Sequence, residues 1–196
     1  PEALAACRKG ELALGDQPSG QDSDWWAEWL DVQVEQVWAH YWLARWHEMD
    51  ALVEKVQPVI AARGSLTNRM RFLLASCLMH LRKERYVISD QMIANTHEAL
   101  AASQQLDILK ARIECQFEVG FLHLWRRELV EAEAHLLSAL QLAEAAGVLP
   151  MRTLSLTYLT ILHRFQADIE TTQLYAQKAE AAALAAHMPD YIAASK

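Results

Sequence analysis

The sequence predicts an all-α protein, an α-α superhelix of stacked antiparallel helical hairpins. Ala, Leu, Glu, Gln and Arg recur at helical spacing through most of the 196 residues, and no stretch alternates β-branched and polar residues over a strand's length. Six glycines and five prolines are too few to break the chain into many loops. Small residues also recur with a period of about 40, which is typical of helical repeats that bury their apolar faces only by stacking.

The repeat frame is clearest in the second half of the chain. Ala99, Ala139 and Ala179 are 40 residues apart, Ala132 lies seven residues before Ala139, and Gly120 lies twelve before Ala132. A small side chain at such a position lets two helix axes approach closely, so these residues predict helix crossings. The first copies are less regular, because larger or helix-breaking residues occupy the equivalent positions: Pro58, His80 and Met92.

The frame and the breaks between helical stretches divide the chain into seven expected segments. Pro58 predicts a kink or an early helix end within the first repeat, and Thr67 is the expected N-cap of the helix that follows. The segments are residues 1–15, a helix that is either the second half of an earlier hairpin or an N-terminal cap; 16–22, a loop; 23–64, the Trp-rich repeat 1; 65–106, repeat 2; 107–147, repeat 3; 148–187, repeat 4; and 188–196, the start of a truncated further repeat.

Composition argues against several functional classes. A net charge of −7 does not suit a nucleic-acid binder, and no apolar run reaches the roughly 18 residues of a membrane span. The sequence has three cysteines without a close partner, Cys7, Cys77 and Cys115, which favours a reducing compartment. We therefore expect a cytoplasmic protein, and from its charge and hydropathy one that contacts neither nucleic acid nor membrane. We find no phosphate-binding loop and no nucleophile elbow, and we expect neither an enzyme nor a cofactor.

The eight histidines do not show the spacing of a metal site. His123 and His135 are expected on opposite helices of one hairpin, but no His-x3-His pair or Cys-x2-Cys pair accompanies them. The sequence therefore predicts histidines in solvent or in the core, and no metal.

The copy from Val119 through Gly120, Ala132 and Leu136 to Ala139 resembles the tetratricopeptide repeat (TPR), in which small residues occupy these positions. The usual period of that repeat is about 34 residues, so the excess length is expected in helix ends and connecting loops.

Repeats of this longer kind are similar to the sensor region of large bacterial signalling and regulatory ATPases, such as LuxR-type regulators and ATPase-coupled cyclases. The residues that carry this likeness are 156–159, His163, Arg164, Asp168 and 188–191. The resemblance implies a TPR-like, non-catalytic scaffold for protein-protein interaction, in the sensor part of a larger bacterial protein that acts in signalling or transcription regulation. Its partner would be a protein, a peptide or an adjoining domain of the same polypeptide.

The first helix of each hairpin lines the concave groove of tetratricopeptide folds. Carried over, the groove positions of the first copy are Gln33, Gln36 and His40, and the later candidates are Leu81, Arg85, Phe117, Phe121, Trp125, Thr157, Ile161, Arg164 and Phe165. An apolar groove edged by guanidinium groups suits an amphipathic helix or, as the alternative function, a small-molecule effector with an anionic end. The extra helix length could equally turn these residues into the core.

Six of the seven tryptophans lie within residues 25–46. Trp38, Trp42 and Trp46 share one helix face and suit a core between the first two hairpins. Interfaces also favour tryptophan, so Trp25, Trp26 and Trp29 are candidates for docking an adjoining domain or for forming a homodimer. Both interpretations remain open at this point.

Overall fold

A computed structural model describes residues 2–15 and 23–194 of the chain, and all regular structure within them is helical. The all-α fold class is thereby confirmed. The helices are α1 (Glu2–Leu14), α2 (Ser23–Trp42), α3 (Trp46–Arg63), α4 (Leu66–Lys83), α5 (Asp90–Gln105), α6 (Leu109–Trp125), α7 (Leu129–Ala145), α8 (Leu149–Phe165), α9 (Ile169–Ala185) and α10 (Pro189–Ala194). None of these described helices combines the length and the apolarity needed to cross a bilayer.

The chain divides into two compact units, Pro1–Tyr86 and Val87–Lys196. Unit 1 contains α1 to α4 and unit 2 contains α5 to α10. The division falls inside the segment 65–106 that the sequence assigns to repeat 2, and the repeat boundaries themselves stay a prediction.

Helix α2 is the centre of unit 1 and packs against α1, α3 and α4. Its apolar stripe meets the buried faces of α3 and α4, and Trp29, Trp38 and Trp46 pack against the edge of this core. The core residues are Leu30, Val34, Val37, Tyr41, Met49, Leu52, Val53, Val56, Ile60, Phe72, Ala75 and Met79.

Two local expectations for unit 1, an early helix end at Pro58 and an N-cap at Thr67, are wrong, whereas a kink at Pro58 stays a prediction. Pro58 does not end its helix, because α3 continues to Arg63; Pro58 is exposed, and so is Glu54, whose carbonyl loses its helical partner and can turn to water. The N-cap of α4 is Ser65 and not Thr67. The Ser65 hydroxyl accepts a hydrogen bond from the backbone amide of Asn68, and Oδ1 of Asn68 accepts one from the Ser65 amide.

Unit 2 has a regular backbone. Helices α6 to α9 contain 17 residues each, and their first residues are 20 apart. Three-residue turns separate them, so two helices and two turns account for the period of 40. The excess was expected in helix ends and connecting loops; it lies in the helices, and the loops are short.

Each of these three turns contains one residue in the left-handed region, and so does the turn that follows α9: Arg127, Gly147, Ala167 and His187. The bonding pattern is the Schellman motif. After α6, for example, the Glu128 amide donates to the His123 carbonyl and the Arg127 amide donates to the Leu124 carbonyl. Consecutive helices consequently reverse direction and pack as sequence-adjacent pairs.

Candidate functional site

An aromatic row lies between α6 and α8 in unit 2. Phe117, Phe121 and Trp125 are four residues apart on α6 and share one face. Tyr158 of α8 packs edge-on against the first two, with ring centroids 5.4 Å from Phe117 and 5.0 Å from Phe121. Phe165, at the end of α8, lies 6.1 Å from Trp125. These are the spacings at which aromatic pairs attract one another.

The predicted groove residues of unit 2 do not share one degree of exposure. Phe117 and Phe121 are only 6% and 8% exposed, so they serve as core between the two helices. Thr157 is also buried, and its hydroxyl donates to the Thr153 carbonyl. The residues that reach solvent lie toward the other end of the row: half-buried Trp125, Ile161 and Phe165, and exposed Arg164.

Guanidinium groups lie at the solvent end of the aromatic row. Arg127 stands over Phe165 with 3.5 Å between its Cζ atom and the ring centroid, a cation-π contact. Arg126 is held by Asp90 at 2.8 Å and by Glu128 at 3.1 Å. This end of the row therefore combines apolar rings with fixed positive charge.

The remaining groove candidates belong to unit 1. Leu81 is 2% exposed and part of the interior, while Arg85 is exposed and follows α4 with a positive φ of 49°. Gln33 and Gln36 are buried, and His40 is half-buried. Within unit 1 these residues do not form an open groove lined by first helices.

The three tryptophans proposed for an interface form a half-buried cluster at the start of α2. Trp25 packs edge-on against Trp26 at 5.0 Å and parallel to Trp29 at 6.2 Å, measured between ring centroids. The Trp25 indole N–H donates to the Leu14 carbonyl at 3.1 Å, which ties the cluster to the end of α1.

This Trp cluster is one wall of a pocket of about 420 Å³, the size range of small-molecule sites. Lys55 lies over the Trp29 ring, with 5.1 Å from Nζ to the centroid. A polar chain crosses the pocket's edge, since Gln33 donates to Glu11 at 2.7 Å and accepts from Lys55 at 3.4 Å. The pocket is lined by Glu11, Gly15, Trp25, Trp26, Trp29, Lys55 and Val59.

The second Trp group divides between core and surface. Trp38 and Trp46 pack against the core of unit 1, as the first interpretation predicts. Trp42 does not, because 73% of its surface is exposed.

Three histidines converge in unit 2 although the sequence spacing did not predict it: His97, His123 and His135. They come from α5, α6 and α7, one from each helix. A spacing rule for ligands within one helix or one loop does not find such a group. The only signal in the sequence that could have revealed the group is the repeat period, because a periodic backbone places equivalent helix turns side by side.

Comparison with known proteins identifies the fold. No protein-family model matches the chain, and no curated sequence matches it at a significant level. Among solved structures the chain is similar to a signal transduction ATPase with numerous domains (STAND) from Pyrococcus horikoshii, a protein with a tetratricopeptide repeat sensor, with a TM-score of 0.71 and 13% identity. The likeness covers 99% of this chain and 31% of the archaeal one. At this identity it shows the fold alone, which is that of a TPR-like helical repeat.

Proposed function

We propose that the chain is a non-catalytic binding module, the sensor or regulatory part of a larger bacterial signalling or transcription-regulating protein in the cytoplasm. The likeness to a STAND protein that carries a tetratricopeptide repeat sensor is the observation that carries this proposal. Helical repeats of this class expose extended surfaces on which partners bind. The chain spans about a third of that protein's length, which agrees with a role as one part of a larger polypeptide.

The solvent end of the aromatic row is the surface that suits a protein or peptide partner. Trp125 and Phe165 present partly exposed rings, and Arg127 and Arg164 supply cations beside them. Interfaces are enriched in tryptophan and arginine because both cover large areas with directional contacts. An acidic amphipathic segment fits this chemistry.

A charge-reversal pair tests the proposal without disturbing the core. Arg164→Glu changes an exposed residue at the end of the row, and Lys178→Glu makes the same change on α9 as the control. Cross-linking mass spectrometry of the parent protein should show contacts from the row that Arg164→Glu weakens and Lys178→Glu leaves unchanged. Equal cross-linking in both variants, or none in the wild type, contradicts the proposal.

The Trp-lined pocket of unit 1 favours a second function, binding of a small-molecule effector. Apolar walls with a few polar groups at one edge are the usual composition of such sites. Lys55 and Glu11 supply that edge here, and the buried Gln33 is hydrogen-bonded to both. We expect a ligand with a flat apolar body and a polar end.

Thermal unfolding in the presence of a panel of aromatic metabolites tests this second function. A compound at 100 times its Kd stabilises the folded protein by about 2.7 kcal/mol. If the pocket binds the compound, the rise in melting temperature should disappear in Lys55→Gln. It should remain in Lys110→Gln, which changes an exposed lysine of unit 2. A panel without any shift, or shifts that are equal in both variants, counts against an effector site.

A further inference from the structure

The histidines of α5, α6 and α7 form a compact triangle inside unit 2. Their ring centroids are 5.6 Å apart for His97 and His123, 5.6 Å for His97 and His135, and 5.9 Å for His123 and His135. One nitrogen of each ring lies within 4.8 Å of a nitrogen of the other two. The rings of His123 and His135 are nearly parallel, with 7° between their planes, so the three nitrogens face one point once the His135 ring rotates.

The shortest edge of the triangle already has the length that a tetrahedral metal requires. The Nε2 atoms of His97 and His123 are 3.4 Å apart. Zinc binds imidazole nitrogen at about 2.0–2.1 Å, so two ligands on a tetrahedron stand about 3.4 Å apart. A 4.8 Å limit on the other edges leaves the third ring about 1.4 Å or less to move, which a side-chain rotation supplies.

Glu128 orients the central ring. Its Oε2 atom lies 2.6 Å from Nδ1 of His123, and Arg126 holds the same carboxylate through Oε1 at 3.1 Å. With the Nδ1 proton donated to Glu128, the lone pair of His123 is on Nε2, the atom that faces His97. A carboxylate on the outer nitrogen is the partner that metal-ligating histidines generally have.

The ring of His135 completes the triangle. Nδ1 of His135 is buried and has no hydrogen-bond partner among the described residues, so one polar atom of the triangle is left unsatisfied.

We propose that His97, His123 and His135 bind one divalent transition-metal ion, with Zn²⁺ as the ion of choice and Glu128 as the positioning residue. Imidazole ligands suit zinc, and three protein ligands leave a fourth position open. His97 is exposed, so the open position faces solvent and can take water or a partner's side chain. The ion would join three consecutive helices of the repeat array. The inference does not depend on the proposed binding function.

Titration calorimetry of the chelator-treated protein with Zn²⁺ alone tests the site. We use a Cys7→Ser background, since a free, half-buried thiol can itself bind zinc. We expect one equivalent of metal. Co²⁺ in place of zinc should give the visible bands of a tetrahedral site without the near-ultraviolet band of thiolate ligation.

Variants separate ligation from packing. His97→Ala removes an exposed side chain and should abolish saturable binding while the helical circular dichroism is kept, and His135→Ala should do the same. Glu128→Gln should retain the stoichiometry and weaken affinity about 10- to 100-fold. His47→Ala, an exposed histidine of α3, should leave binding unchanged.

Two results overturn the proposal. Absence of saturable Zn²⁺ binding in the folded protein means that the 3.4 Å contact between His97 and His123 is a hydrogen bond and not part of a metal site. Binding that survives both His97→Ala and His135→Ala places the metal elsewhere. Neither result bears on the partner cross-linking, so failure of the metal site and failure of the proposed function are distinguishable.

Discussion

Gly120 of α6 lies against Leu136 of α7 so closely that a side chain would not fit between them. A Cβ atom on Gly120 would stand 2.8 Å from Cγ and 3.0 Å from the backbone N of Leu136, with the Ala132 carbonyl at 3.2 Å. Real Cβ atoms essentially never show a contact of 2.8 Å, and the two backbone distances are tighter than most real contacts. The backbone of α7 cannot move away as the end of a flexible side chain could. The closest approach of the two helices therefore requires glycine at this position of the repeat.

Gly120→Ala should lower the free energy of unfolding by about 1–3 kcal/mol, because the overpacked contact forces the two helices apart. The better helix propensity of alanine compensates only part of this loss of stability. Urea denaturation followed by circular dichroism measures the change. Ala134→Leu, which adds bulk on the exposed face of α7, should stay within about 0.5 kcal/mol of wild type. A Gly120→Ala protein as stable as wild type would disprove the tight contact.

Two equivalent turns, one with glycine and one without, give a prediction of opposite sign. Gly147 has a φ of 67° and Ala167 has 58°. An L-residue in this region costs about 1–2 kcal/mol, so Gly147→Ala should destabilise by about 1 kcal/mol. Ala167→Gly should relieve the same strain and be neutral or stabilising, although glycine's unfolded-state entropy offsets part of the gain. Thermal unfolding of both variants measures these changes in stability. A Gly147→Ala variant more stable than wild type would contradict the assigned turn geometry.

The fold could be predicted from the sequence because the period reports local helix contacts. Gly120 and the alanines of the frame are small where helices cross, and that pattern is visible without coordinates. The turns were less visible, since Arg127 and Ala167 adopt a conformation that glycine usually marks. The sequence predicted the extra residues in helix ends and connecting loops, and only the three-residue turns of the structure assign them to the helices.

The candidate site was less predictable, because it depends on how each helix is rotated about its axis. Spacing places Phe117, Phe121 and Trp125 on one face, but only the packing of Tyr158 decides that the first two are buried and the third is half-buried. The histidine triangle depends on three separate helices. The spacing of the three histidines along the sequence contains no information about the distance between their side chains.

Asn68 connects the first turn of α4 to α2 and should be sensitive to truncation. It is 2% exposed; its side chain bonds the Ser65 amide and donates to Asp31 of α2 at 2.5 Å. Asn68→Ala should cost about 1–3 kcal/mol, since Ser65 and Asp31 lose a buried partner. Thr67→Ala is the matched control, because Thr67 does not serve as the cap, and it should cost less than about 0.5 kcal/mol. Chemical denaturation measures both variants, and an equal loss in the free energy of unfolding for Asn68→Ala and Thr67→Ala would refute this role of Asn68.

Trp42 and Trp46 are close in sequence and differ in burial, so their truncations should differ. Trp42→Ala should change the free energy of unfolding by no more than about 0.5 kcal/mol, because the side chain is 73% exposed. Trp46→Ala should cost about 2 kcal/mol or more, since that ring packs against the core of unit 1. Unfolding in guanidinium chloride compares the two variants. A large loss in the free energy of unfolding for Trp42→Ala would mean that another surface covers the Trp42 side chain.

Glu118 predicts an unusual dependence of stability on pH. Burial, and then the Glu114 carboxylate one helical turn earlier, raises the pKa of Glu118 from its ordinary 4.5 to about 8. A group whose pKa is higher in the folded state contributes its full stability below the unfolded value, and that contribution is lost as the pH rises toward 8. The Glu118→Gln variant has no such proton to lose, so its stability relative to wild type should increase between pH 5 and pH 8.

We expect that relative gain to be about 1–2 kcal/mol, because the half-buried side chain is partly screened by water and realises only part of the shift. Urea unfolding at a series of pH values gives the two profiles. Glu98→Gln removes an exposed carboxylate of α5 and should give a profile parallel to that of wild type. If the profile of Glu118→Gln is parallel to wild type as well, Glu118 ionises normally in the folded protein and its burial in α6 does not control the charge.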